Sequence, residues 1–200
     1  WDKQYKTLRL CVSRPGLYGA TLLKESCQKV GIRMNGSIRK GKVPVSANTL
    51  KVIKTRKLID IIRILNQESN NVVAELVNKN LGAYFDSTPG TRAKGLAVIR
   101  NYCEDKIGLK KGRYHLRDAS GLSVGNRFSA SQMILALNHF YKNLGMAYIK
   151  TLAPQGHHPH ARFPVPPKGI KMFVKSGTLP STGVDTPSVP LILACHDAVL

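Results

Sequence analysis

The feature that most constrains this chain is a polar tripeptide set between two apolar helical patterns. Leu58 to Asn66 reads as a strongly apolar helix. Ser69-Asn70-Asn71 follows, and Val73, Leu76, Val77 and Leu81 then resume apolar spacing at helical intervals, out to about Tyr84. A Ser-x-Asn triplet at such a junction belongs at a helix start, not inside a core. Short polar side chains there can satisfy the amides that a first helical turn leaves without partners. Capping is the commoner fate of Ser and Asn in this position, so Ser69 or Asn70 also reads as a plain N-cap.

Two further stretches change the weight of that reading. Phe173-Val174-Lys175-Ser176-Gly177-Thr178 is strand-like and ends in Lys-Ser-Gly, and between the motifs lies Arg117-Asp118-Ala119-Ser120-Gly121-Leu122-Ser123. Alone, Lys175 is equally well an edge-strand lysine that blocks aggregation. In this order, however, the triplets resemble the S-x-N and K-[ST]-G signatures of the penicillin-binding and β-lactamase superfamily. The middle stretch is similar to the D-G-S-G-L-S loop of its PBP4-like D-alanyl-D-alanine carboxypeptidase/endopeptidase branch, peptidase family S13. The resemblance covers nearly all 200 residues.

The resemblance implies an α+β fold of the β-lactamase/transpeptidase type, an antiparallel sheet flanked by helices, present here in incomplete form. It implies residues 1–30 as the end of an inserted domain and 31–200 as the C-terminal part of the transpeptidase-like domain. The implied activity is serine-type cleavage of peptidoglycan stem peptides through an acyl-serine, with β-lactams as inhibitors of the complete enzyme. The implied setting is periplasmic or extracytoplasmic, with no metal or organic cofactor. Site roles follow residue by residue. Ser69 resembles the serine that relays a proton towards the leaving amine, and Asn71 the asparagine that binds the substrate carbonyl. Asn70 stands where Asp is commoner. Lys175 would face the substrate's terminal carboxylate, with Ser176 as a hydroxyl donor where Thr is commoner. Gly177 would let substrate backbone lie close, and Thr178 would give an oxyanion N–H. Asp118, Ser120 and Gly121 would add substrate contacts.

An acyl-serine mechanism also needs S-x-x-K at a helix start, where the serine's own N–H serves the oxyanion. Ser26-Cys27-Gln28-Lys29 and Ser37-Ile38-Arg39-Lys40 fit the letters. Ser26 falls inside the helical pattern Leu17 to Val30, where its N–H is already bonded. Ser37 falls between Gly36 and Gly41 in strand-like sequence, where Lys40 would not stand one turn above it. Both read as decoys. In the S13 family the nucleophile lies far upstream of S-x-N, beyond large inserted domains, so the expectation is that it lies outside these residues. The first residue, Trp1, is not Met, as expected for a piece of a longer protein.

Lys+Arg number 31 against 11 Asp+Glu, for a formal charge of +20. Such an excess suits nucleic acid or an anionic polymer. The basic residues are scattered from Lys3 to Lys175 with no arginine-rich tract, RNP-like motif or helix-turn-helix signature, so no specific nucleic-acid partner is implied. Cys11, Cys27, Cys103 and Cys195 lack zinc spacing. No run of apolar residues is long enough for a transmembrane segment.

Elsewhere, Tyr5 to Ser13, Asn48 to Thr55 and parts of Ile32 to Val43 read as strands. Leu17 to Val30 reads as a helix with Leu22, Leu23 and Cys27 on one side, stopped by Gly31. Gly90 to Lys106 reads as a helix with Ala93, Leu96, Ala97 and Tyr102 inward. Ser129 caps a helix through Tyr141, Met146 to Leu152 is a short helix, and Val189 to Cys195 is the antiparallel partner of Ile170 to Lys175. His157-His158-Pro159-His160 reads as a solvated loop, in which Gly156 and Arg162 fit the family's frame while its D-G-T is replaced. A non-catalytic relative that binds cell-wall peptide or another protein is the alternative, and a basic nucleic-acid-binding module the third. The expectation for the chain by itself is a half-cleft of Ser69, Asn71, Lys175 and Ser176 with apolar surface left exposed.

Overall fold

The computed structural model describes residues 12–154, 168–175, 177 and 191–196, the last of these as backbone only. The chain divides into two compact units, Trp1–Lys54 and Thr55–Leu200.

In the first unit Pro15 opens α1 (Pro15–Lys29), where its fixed φ and missing N–H suit a first turn. Gly31, at φ 83°, follows the helix and lets the chain turn away. Helix α1 buries none of its residues, and Leu22 and Leu23 are exposed. The strands expected over 32–43 and 48–55 do not form: residues 32–57 are irregular and exposed. A strand needs a neighbouring ladder to hold its amides, and no strand among the described residues pairs with this stretch. The expected strand at 5–13 falls mostly outside the described residues.

The second unit carries α2 (Leu58–Gln67), α3 (Asn71–Phe85) and α4 (Arg92–Tyr102). Helix α4 passes into a π-helical turn, Cys103–Ile107, closed by Gly108 at φ 81°. The expected inward face of α4 holds for one residue of four. Leu96 is buried, but Ala93, Ala97 and Tyr102 are exposed, and Gly95 is buried in their place. The reason is close backbone packing. A Cβ on Gly95 would lie 1.9 Å from the Asn78 carbonyl oxygen, and one on Gly82 would lie 2.7 Å from Gly95 N. Where two helices approach this closely, glycines choose the face and larger apolar residues fall beside it.

A small core of Cys103, Leu109 and Tyr114, joined by Ile99, Ile107, Leu116 and Phe128, lies at the end of α4. The Arg100 guanidinium donates to the Leu116 carbonyl (2.8 Å) and fastens the following segment to that helix. Helix α5 (Ala130–Leu144) begins with a reciprocal capping box between Ser129 and Gln132, and α6 (Met146–Ile149) follows Gly145. The sheet is antiparallel, in order β1 (Ala153–Pro154), β2 (Ile170–Lys175), β3 (Leu191–His196). Alternation along β2 buries Met172 and Val174 against Ala153. Lys171, Phe173 and Lys175 therefore share the other face.

Candidate active site

The S-x-N triplet occupies the turn between α2 and α3. Asn70 is the N-cap of α3, its side-chain oxygen accepting from Val73 N (3.1 Å). Asn71 is the first residue of the helix, exposed at its N-terminal end. Ser69 is not a cap. It is the only non-glycine residue with positive φ among those described, at 49°. Asn70 N donates back to the Leu65 carbonyl (3.1 Å), so Ser69 takes the left-handed place that usually falls to glycine after a helix. A side chain kept in that conformation costs about 1–2 kcal/mol. Strain of this kind marks positions where the side chain does something a glycine could not.

Two contacts carry this turn to the sheet. The Asn66 amide donates to Thr151 Oγ1 (2.9 Å), and the Gln67 amide donates to the Leu152 carbonyl (3.1 Å). The Thr151 hydroxyl in turn donates to the Tyr148 carbonyl (2.7 Å), and Thr151 and Ile149 are fully buried. Thr151 and Leu152 run directly into β1, whose Ala153 pairs with Val174. The end of α2 is thus bolted to the strand beside β2, and Lys175, next after Val174, arrives at the turn. Its ammonium donates to Ser69 Oγ (2.5 Å), joining residues 106 apart in sequence. Burial pushes the Lys175 pKa below its ordinary value, because a desolvated ammonium loses hydration that its neutral form does not need.

The Asp118 loop is a closed hydrogen-bonded turn. Asp118, 8% exposed, accepts from Gly121 N (2.8 Å), Ser123 N (2.7 Å) and the Asn126 amide (2.8 Å). Asn126 reciprocates by accepting from the Arg117 and Asp118 amides. Burial alone would raise the Asp118 pKa, but bonds from Asn126, Gly121 and Ser123 outweigh it and hold the carboxyl below its usual range. The Asp118 oxygens are engaged inside the loop, while Ser120 is half-buried and Gly121 exposed with φ 80°.

One residue of this region escaped sequence reasoning. Glu75, on α3, accepts from the amides of Ala119 (3.1 Å) and Ser120 (3.2 Å) through one oxygen. Its other oxygen pairs with the Arg92 guanidinium (3.0 Å). Burial raises its pKa, and the Ala119 amide together with Arg92 and Ser120 reverses the sign, so the carboxyl sits below its ordinary value. The available signal was one acidic side chain in a helix short of them, which is little to go on.

Gly177 is exposed. Ser176, Thr178, the His157–His160 loop with Gly156 and Arg162, and residues 180–190 lie outside the described residues. Of the S-x-x-K triplets, Ser26 donates its hydroxyl to the Leu22 carbonyl (2.7 Å) inside α1, and Ser37 lies in irregular chain. A groove of about 980 Å³ between α2 and α3, lined among others by Leu58, Ile61, Leu76, Leu81, Tyr84 and Phe85, contains none of Ser69, Asn71 and Lys175. It is mainly apolar and open, with Thr55, Arg56 and Asn80 as its polar lining.

The arrangement of S-x-N and K-x-G across a helix-to-strand junction defines the class, a transpeptidase-like α+β fold. The model of the D-Ala-D-Ala carboxypeptidase 3 (S13) family matches residues 2–185, and the chain belongs to that family. The chain is 24% identical over 143 residues to the D-alanyl-D-alanine carboxypeptidase DacB of Haemophilus influenzae, covering 70% of this chain and 30% of that protein. The crystal structure of penicillin binding protein 4 (dacB) from Haemophilus influenzae, complexed with a novel beta-lactam, matches with TM-score 0.66 and 20% identity over 86% of this chain and 43% of that one. The chain therefore spans less than half the length of these relatives.

Proposed function

We propose that the chain supplies the S-x-N and K-S-G side of a serine-type D-Ala-D-Ala carboxypeptidase/endopeptidase cleft that acts on peptidoglycan stem peptides outside the cytoplasm. The observation that carries this is the Lys175–Ser69 contact, which joins the two motifs across 106 residues at 2.5 Å. In this reading Asn71 donates to the substrate's peptide carbonyl, and the Lys175 ammonium meets its terminal carboxylate. A lysine whose charge is penalised by burial gives up a proton more readily, so the Lys175–Ser69 bond is a proton path to the leaving amine. Asp118 then acts on substrate indirectly, by holding Ser120 and Gly121 in place. The domain assignment goes with this reading: 31–200 as transpeptidase-like domain, 1–30 as the end of an insertion.

The attacking serine is neither Ser26 nor Ser37. The amide of a mid-helix serine is engaged in the helix and cannot serve an oxyanion hole. The 200 residues by themselves therefore bind stem peptide reversibly and form no acyl-enzyme. The same observation favours a second reading, a relative that binds cell-wall peptide without cleaving it. Two measurements on the chain test these ideas. Diacetyl-L-Lys-D-Ala-D-Ala should shift the amide resonances around Ser69, Asn71 and Lys175. Fluorescent penicillin should leave the protein mass unchanged. If the peptide shifts none of these resonances, the cleft reading fails. A penicillin adduct lost on Ser26→Ala would make Ser26 the nucleophile. Labelling of a longer protein that includes the upstream segment would exclude the purely binding role.

A further inference from the structure

We propose that Glu75 is a positioning residue of this cleft, the group that sets the 119–123 loop against the face of α3 that carries Asn71. The inference rests on the cleft reading above. Glu75 follows Asn71 by four residues in α3, so the two side chains project from the same face, one turn apart. Whatever Glu75 holds is therefore held beside the side chain proposed to grip the substrate carbonyl. What it holds is backbone. The amides of Ala119 and Ser120 both donate to its Oε1, at 3.1 and 3.2 Å. Two successive N–H groups aimed at one oxygen fix the orientation of the peptide unit between them, and so the direction in which Ser120 and Gly121 leave.

The second oxygen completes the device. Arg92, at the start of α4, donates to Glu75 Oε2 at 3.0 Å. The Arg92 side chain is 59% exposed and Glu75 18%, so the arginine caps the carboxylate from solvent while the loop meets it from inside. Within the loop, Asp118 supplies shape through Gly121, Ser123 and Asn126, but none of those bonds reaches α3. Internal shape and external placement thus belong to different carboxylates. Asp118 makes the turn, and Glu75 decides where it stands relative to the S-x-N helix.

The test uses the 200-residue chain with diacetyl-L-Lys-D-Ala-D-Ala as probe. Glu75→Ala should weaken peptide binding about tenfold and speed hydrogen exchange at Ala119 and Ser120 by a similar factor. Exchange within α4 and in α3 near Asn78 should stay as it was. Glu75→Gln keeps an acceptor for the two amides and should recover most of the lost binding, a rescue that a purely bulk-stability role would not give. All three proteins are compared well below their melting temperatures. Should Glu75→Ala prove unfolded, Glu75→Gln and Glu75→Asp are compared instead. The shorter Asp, unable to reach both amides, should bind several-fold more weakly than Gln. Equal binding by the unsubstituted chain and the folded variants overturns the positioning role while leaving the cleft intact. No binding by the unsubstituted chain overturns the cleft reading and this inference with it.

Discussion

Ser69 is where residue chemistry and backbone geometry conflict. Its φ of 49° suits glycine, yet the side chain is the acceptor for Lys175. Ser69→Gly should relieve about 1 kcal/mol of backbone strain and raise the melting temperature by roughly 2–4 °C. The same change should weaken stem-peptide binding several-fold. Ser69→Ala keeps the strain and loses only the hydroxyl, so it should weaken binding to the same extent without stabilising. Thermal melts and peptide titrations on the pair check this. A Ser69→Gly protein less stable than the parent would show that the turn is not strained. The turn's neighbour behaves conventionally: Asn70→Ala should cost about 1 kcal/mol through loss of the cap.

At the scale of elements, two glycines in helices make opposite predictions. Gly95 in α4 faces the Asn78 carbonyl so closely that a Cβ would stand 1.9 Å from it. Gly95→Ala should therefore force α3 and α4 apart, at about 3 kcal/mol or more. Gly19 in α1 meets nothing within 4 Å, and Gly19→Ala should stabilise that helix by about 0.5–1 kcal/mol. Circular dichroism melts of both variants separate packing from propensity. The Asp118 loop responds to acid instead. Asp118 and Glu75 both have folded pKa values below their ordinary ones. A depressed carboxyl pKa contributes stability above its unfolded value, and that stability is lost as pH falls through the folded one. The loop should therefore stay closed at neutral pH and loosen below the usual carboxylate range. Hydrogen exchange at Gly121 and Ser123 should rise there, and Asp118→Asn should bring the loosening to neutral pH.

For the whole molecule, apolar surface is the dominant property. Leu58, Leu76, Tyr84 and Phe85 are 64%, 51%, 82% and 65% exposed, and the first three, with Phe85, border one groove. Contiguous apolar surface of this sort drives association in solution. The chain should bind a hydrophobic dye at neutral pH and self-associate with rising concentration. Tyr84→Ser with Phe85→Ser should reduce both without weakening stem-peptide binding, because neither side chain is near Ser69 in the sequence of contacts that builds the cleft. No helix among the described residues is long and apolar enough to cross a membrane.

What the sequence determined by itself is local. Helix starts were legible at Asn70 and Ser129, because such a cap satisfies amides within a few residues, while the Thr91 cap of α4 was not read. The S-x-N and K-S-G triplets and the family were legible for the same reason: each motif is a short run. The inward face of α4 was not, since apolar spacing favoured Ala93, Ala97 and Tyr102 while backbone contact across Gly95 chose another side. Nor was the irregular course of 32–57, where strands were expected, because apolar residues become a strand only when a partner ladder takes up their amides. Glu75 was invisible because its two loop partners lie 44 and 45 residues away and Arg92 lies on another helix. Tertiary structure alone decided that Lys175 meets Ser69. That contact depends on Asn66 and Gln67 gripping 151–152, on β1 pairing with β2, and on the two-residue alternation that points Lys175 away from Val174's buried face. The first two are long-range contacts that no local pattern records, while the alternation along β2 is local and becomes directional only once one face of the strand is buried.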